Sequence, residues 1–122
     1  MAKRVTIMQL SLSVRIAEEF HSKEEASMPL GDLARLAKRC GYGALCMRAS
    51  QVGVHSPPGA AKAAADCMAE SGLAASMVTG DFDTVYNNDN GPSALLNITP
   101  YLDLAKRLGA PRIRVALKQE SD

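Results

Sequence analysis

The sequence predicts an α/β protein, a parallel βαβαβαβ chain with four strands and three main helices. Helical patterns alternate with short apolar runs along the 122 residues, and such alternation makes parallel strands joined by right-handed crossovers. A weak internal repeat sets the cadence. Cys40-Gly41-Tyr42-Gly43-Ala44-Leu45 aligns with Ser71-Gly72-Leu73-Ala74-Ala75-Ser76 and with Leu108-Gly109-Ala110-Pro111-Arg112-Ile113. The three leading glycines lie 31 and 37 residues apart, about the length of one βα unit. Composition agrees: 19 alanines, two Phe, three Tyr and no Trp suit closely packed helices on a sheet better than a thick all-β sandwich. The length allows one domain, spanning 1–122.

The elements follow in order. A first strand is expected over 4–10, within an apolar run that Arg15 ends. The first helix carries Leu30, Leu33, Leu36, Ala37 and Cys40 on one face, with Pro29 near its first turn and Asp32 favourable to its N-terminal dipole. Gly41 stops it, since glycine tolerates the left-handed conformation after a helix, and a second strand follows at 44–48. The second helix is expected to start at Ser56-Pro57-Pro58, with Ser56 as N-cap, and to run through Ala61, Ala64, Ala65 and Met68 to Gly72. A third strand follows at 74–79. The third helix spans roughly Ser93 to Leu108, where Pro100 either kinks it or starts a shorter helix capped by Thr99. The fourth strand is expected at 112–117.

Two loops are long, Ser11 to Met28 and Gly80 to Pro92, and both follow a strand and precede a helix. The returns from helix to strand are only a few residues. That asymmetry puts the elaborated loops at the C-terminal ends of the strands, where parallel α/β proteins bind ligands.

The opening strand Val5-Thr6-Ile7-Met8-Gln9-Leu10-Ser11, the helix from Asp32 to Tyr42, and Leu102-Asp103-Leu104-Ala105-Lys106-Arg107-Leu108-Gly109-Ala110 followed by Arg112-Ile113-Arg114-Val115 resemble the first half of the xylose isomerase-like TIM-barrel superfamily. That group includes sugar-phosphate isomerases and epimerases, inosose dehydratases and AP endonucleases. A whole barrel takes about 250 residues, so four strands here are close to half. The resemblance implies a sugar-phosphate isomerase/epimerase-type enzyme of carbohydrate metabolism. It would act on a sugar or polyol by proton transfer alpha to a carbonyl, with a divalent metal (Mn, Mg, Zn or Co) polarising the substrate. The superfamily carries its metal ligands largely on later strands, so no residue of this chain is assigned as a ligand, and this chain alone is expected to be inactive.

A half-barrel leaves its first and fourth strands as open edges and its inner face exposed, a face expected to be apolar. The remedies are a second half, self-association into a homo-oligomer, or an open doubly wound sheet. Two other readings of function stand beside the isomerase: a self-associating, non-catalytic half-barrel that binds a small ligand, and an AP endonuclease-like phosphodiesterase fragment.

Polar residues gather where the strands are expected to end, and four are candidate substrate contacts. Arg48 follows the apolar run Ala44-Leu45-Cys46-Met47, where a guanidinium can leave the core to grip a phosphate or carboxylate, or pair with Asp81 or Glu120. Gln51 lies three residues on and offers amide hydrogen bonds. His55, directly before the expected helix start, can touch a ligand, act as acid or base, bind a metal, or simply pack on the prolines. Asp81, with Asp83 two residues on, offers carboxylates on one side of an extended segment. His21 reads as loop surface.

A formal net charge of +1, with basic residues that look dispersed near Lys38 and Arg112, argues against nucleic acid as a partner. No run of about 18 apolar residues crosses a membrane. Three cysteines without CxxC spacing point to a reducing, cytoplasmic setting and to buried thiols rather than disulfides or a zinc site.

Overall fold

Two strand pairings at the centre of the sheet fix the architecture. In the computed structural model, which describes residues 9–22, 25–85 and 91–118, β2 (Ala44–Met47) pairs in parallel with both β1 (Ser11–Ser13) and β3 (Ala74–Val85). β3 pairs in parallel with β4 (Ile113–Lys118), so the order across the sheet is β1-β2-β3-β4. The crossovers are α1 (Leu30–Arg39), α2 (Ala60–Glu70) and α3 (Gly91–Leu108). Sequential order with right-handed crossovers puts every helix on the same face of the sheet, and α1 packs on α2 and α2 on α3 in one layer. A doubly wound sheet would need the order to reverse. It does not, and the arrangement is that of successive strands of a barrel.

The glycine stops hold. Gly41, Gly72 and Gly109 have φ of +92°, +74° and +75° and follow the three helices directly. A strand begins within four residues of each: β2 at Ala44, β3 at Ala74 and β4 at Ile113.

Several boundaries move from the sequence expectation. Of the strand expected over 4–10, residues 4–8 lie outside the described residues, and 9–10 are not strand. Among the described residues the ladder with β2 runs over Ser11–Ser13, because β2 begins at Ala44 and Ala44 lies opposite Ser11. The second helix starts at Ala60, not Ser56. The Ser56 hydroxyl is engaged in accepting from Gly53 N–H at 2.8 Å, and Gly59, in the left-handed region at φ +86°, occupies the N-cap. Pro100 lies inside one continuous α3. β3 runs on to Val85, so the loop expected from Gly80 is shorter, and Asp81 and Asp83 belong to the strand. Cys40, expected on a core face, is exposed at the end of α1, while Cys46 and Cys67 are half-buried and all three are free thiols.

The core fills the space between the helix layer and the sheet. Leu33, Ala34 and Ala37 from α1, Ala61, Ala64 and Met68 from α2, and Leu104, Ala105 and Leu108 from α3 meet Leu45, Met47, Ala75 and Val78. Alanine at so many contacts lets helices approach the sheet closely, and burial of the larger side chains contributes about 1.5–3 kcal/mol each. Strand alternation sends Leu45 and Met47 to this side and Cys46 to the other.

Among the described residues no helix lies against the opposite face of the sheet. This face was expected to be apolar, and the described residues there are mostly polar: Ser11, Ser13, Ser76, Thr79, Arg112 and Arg114, with Cys46 and Met77 among them.

Candidate functional site

Short polar side chains on that face touch one another across the strands. A hydrogen bond of 2.6 Å joins the hydroxyls of Ser11 on β1 and Ser76 on β3. Ser76 also donates to the Leu45 carbonyl at 3.3 Å. It can reach both because the β2–β3 register shifts between Leu45 and Cys46, placing Ala75 opposite Leu45 and Met77 opposite Cys46. Ser76 falls in the extra position of this bulge, a device that re-aims a side chain. Thr79, nearly buried, sits 3.5 Å from the Cys46 thiol.

These groups floor a cleft of about 680 Å³ whose walls are Gln9, Arg15, Arg48, Arg112 and Arg114. The basic residues that look dispersed in the sequence are gathered here by the topology. Arg112 and Arg114 alternate about β4 with Ile113, which packs against the core. Arg114 lies opposite Thr79 in the ladder. Arg15 comes from a 3₁₀ turn over Val14–Ala17 that Ser13 caps, its hydroxyl accepting from Arg15 N–H at 3.2 Å.

Arg48 reaches the cleft at the end of β2, but its charge is spoken for. Its Nε donates to Glu18 Oε2 at 2.8 Å and to Oε1 at 3.2 Å, and both side chains are more than nine-tenths buried. Ser50 Oγ adds a third hydrogen bond to the same carboxylate at 3.3 Å. The ion-pair partner among the described residues is Glu18 in the β1–α1 loop, and the side chains of Asp81 and Glu120 lie outside those residues. Gln51 works on the same loop: its Nε2 donates to the Met28 carbonyl at 3.0 Å. Within the loop Glu18 bridges Ala26 in antiparallel fashion, and Ser27 N–H donates to the Ala17 carbonyl at 2.7 Å. Two of the four predicted contacts thus hold the β1–α1 loop over the end of β2.

His55 is exposed and lines a neighbouring cleft of about 340 Å³ with Val52, Val54, Ser56, Tyr101 and Leu104. It does not stand at a helix N-terminus, because α2 begins five residues later. Thr79 forms part of both clefts. Asp81 lies in β3 where pairing with β4 is interrupted between Thr79 and Asp83, and its side chain is outside the described residues. His21 is on the surface, 3.2 Å from Glu25.

Sequence reasoning missed Glu18, Arg112 and Arg114. The alternation Arg112-Ile113-Arg114 within an expected strand was the one available signal for the two arginines. Among the described residues no three His, Cys, Asp or Glu side chains lie close enough to hold a metal ion. No helix among them is long and apolar enough to cross a membrane. No family model and no curated protein matches this sequence.

Proposed function

We propose that this chain is the first half of a xylose isomerase-like TIM-barrel enzyme of the sugar-phosphate isomerase/epimerase type, and that it supplies binding surface for a sugar or polyol. One observation carries the reading. A singly wound parallel sheet leaves one face uncovered, and hydroxyls from β1 and β3 meet on that face in a concave cleft. Such a surface suits a ligand rich in hydroxyls, which can replace hydrogen bonds to water one for one. The described residues do not fit the metal site that the resemblance implies. This chain's own part is therefore to bind and orient, and in this reading the metal ligands belong to later strands. Arg48 and Gln51 shape the mouth by fixing the β1–α1 loop, while His55 stands at the rim of the adjoining cleft.

The test is isotope exchange. The protein isolated from its native source, with its intact mass measured, is incubated with ketoses and Mn²⁺, Mg²⁺, Zn²⁺ or Co²⁺ in deuterated water. Deuterium entering alpha to the carbonyl, with a mass of roughly 30 kDa for a whole barrel, supports the reading. A native mass of 13.0 kDa and no exchange with any metal sinks it.

A second reading has its own observation. Among the described residues β1 and β4 each have one strand neighbour, and Leu10, Ile16 and Phe20 are exposed beside β1. A second copy pairing β4 with β1 would close both edges and make this a self-associating ligand-binding half-barrel. A monodisperse dimer in sedimentation, with no exchange activity, selects it.

A further inference from the structure

On the helix surfaces Arg35 faces Asp32 and Arg107 faces Asp103, each with a carboxylate one turn away, while Arg39 stands singly on α1 with no ion pair among the described residues. In the cleft, Arg48 is neutralised by Glu18, but Arg15, Arg112 and Arg114 make no ion pair among the described residues. No acidic side chain appears among the described residues lining the cleft. Among the described residues the Arg112 guanidinium only donates to the Ser76 carbonyl, at 3.4 Å. Three like charges converging on one concavity repel one another, and a bound anion relieves that repulsion while accepting several hydrogen bonds from guanidinium groups.

We propose that the uncovered sheet face holds an oxyanion subsite, formed by Arg114 with Arg15 and Arg112, that takes the phosphate or carboxylate group of a small hydroxylated ligand. The register brings the parts together. Arg114 pairs with Thr79, Arg112 lies two residues back on the same side of β4, and Arg15 closes the far wall beyond Ser13. The Ser11 and Ser76 hydroxyls at the floor are placed for the uncharged part of such a ligand. The cleft's size is that of a small-molecule site, not of a groove for a polymer. Arg48 is left out of the anion's shell, because recruiting it would strand Glu18 as a buried, unpaired carboxylate. The inference rests on the reading above and deepens it by naming the ligand's charge.

The experiment is an amide-resolved NMR titration of the full chain at low ionic strength with inorganic phosphate, and separately with glycolate, using sodium chloride to match ionic strength. Saturable shifts are expected at 11–15, 76–79 and 113–114. The affinity should weaken about tenfold in Arg114→Gln and in Arg112→Gln, and should be unchanged in Arg35→Gln. Response to phosphate alone identifies a phosphorylated ligand, response to glycolate alone a carboxylate, and equal response to both an oxyanion site without preference; each supports the subsite. Shifts that are absent, that appear equally with chloride, or that survive both cleft substitutions overturn it. Anion binding without isotope exchange would defeat only the catalytic reading. Exchange without anion binding would defeat only this one.

Discussion

Arg48 and Glu18 lie thirty residues apart and meet with both carboxylate oxygens on one guanidinium nitrogen, the shorter contact 2.8 Å. Burying two charges costs several kcal/mol of hydration for each, which their attraction offsets only while both are present. Glu18→Gln leaves Arg48 charged and uncompensated, so a loss of about 3 kcal/mol is expected in denaturant unfolding. The double variant Glu18→Gln/Arg48→Met should recover part of that loss. If the single variant unfolds at the parental midpoint, the pair does not clamp the loop.

Gln51 offers a milder probe of the same loop. Its amide holds the Met28 carbonyl at 3.0 Å, a net contribution of about 1 kcal/mol. Gln51→Ala should raise amide exchange at Ser27, whose N–H closes the loop onto Ala17, without altering protection in α2. Equal change in both would show global destabilisation instead.

Met68 is 1% exposed and packs between α2 and the sheet. Met68→Ala removes its contacts and leaves a void among alanines that cannot expand to fill it, so a cost of about 2–5 kcal/mol is expected. A loss under about 1 kcal/mol in chemical denaturation would mean that the helix layer collapses onto the gap.

Gly109 separates backbone strain from crowding. Its φ is +75°, yet a Cβ there would meet nothing within 4 Å. Gly109→Ala should therefore cost about 1 kcal/mol through conformation alone, and Gly109→Asn should cost less. Equal thermal midpoints for all three would show that the α3 stop does not depend on the left-handed turn.

Lys62 has a pKa above the ordinary lysine value, first because its ammonium donates to Asp66 at 2.9 Å and then because of that carboxylate's charge, with slight desolvation opposing. A group whose folded pKa is raised favours the folded state below its unfolded pKa, and the effect disappears as pH rises through the folded value. The window is alkaline, above the ordinary lysine titration. Asp66→Asn should return the Lys62 titration, followed by side-chain NMR, to the ordinary range. No movement would show that the pair does not persist in solution.

The helix stops were legible because glycine after an apolar helical face reports local backbone demand, and Gly41, Gly72 and Gly109 all adopt it. Parallel pairing followed from the alternation they punctuate. The start of α2 was misread because Ser56 resembles an N-cap in sequence, while its hydroxyl serves Gly53. The pairing of Ser11–Ser13 with β2 was not legible, because an apolar run shows where a strand can form, whereas pairing depends on where its neighbour begins. Glu18 gave no periodic signal at all. Its role depends on a loop folding back over a strand end, a contact that spacing does not encode. Arg112 and Arg114 were visible as an alternating pair, but their common cleft with Arg15 exists only once three crossovers have closed.

The strand order also sets how the molecule can come apart. Among the described residues every strand pairs only with its neighbours in sequence, so each ladder closes a chain segment of about one βα unit, while the Ser11–Ser76 hydrogen bond reaches across two. Cooperativity is then transmitted from unit to unit, as in a linear array. Fraying at β1 or β4 leaves the β2–β3 pairing intact. One more βα unit grafted beyond β4 would extend the sheet without breaking any bond already made.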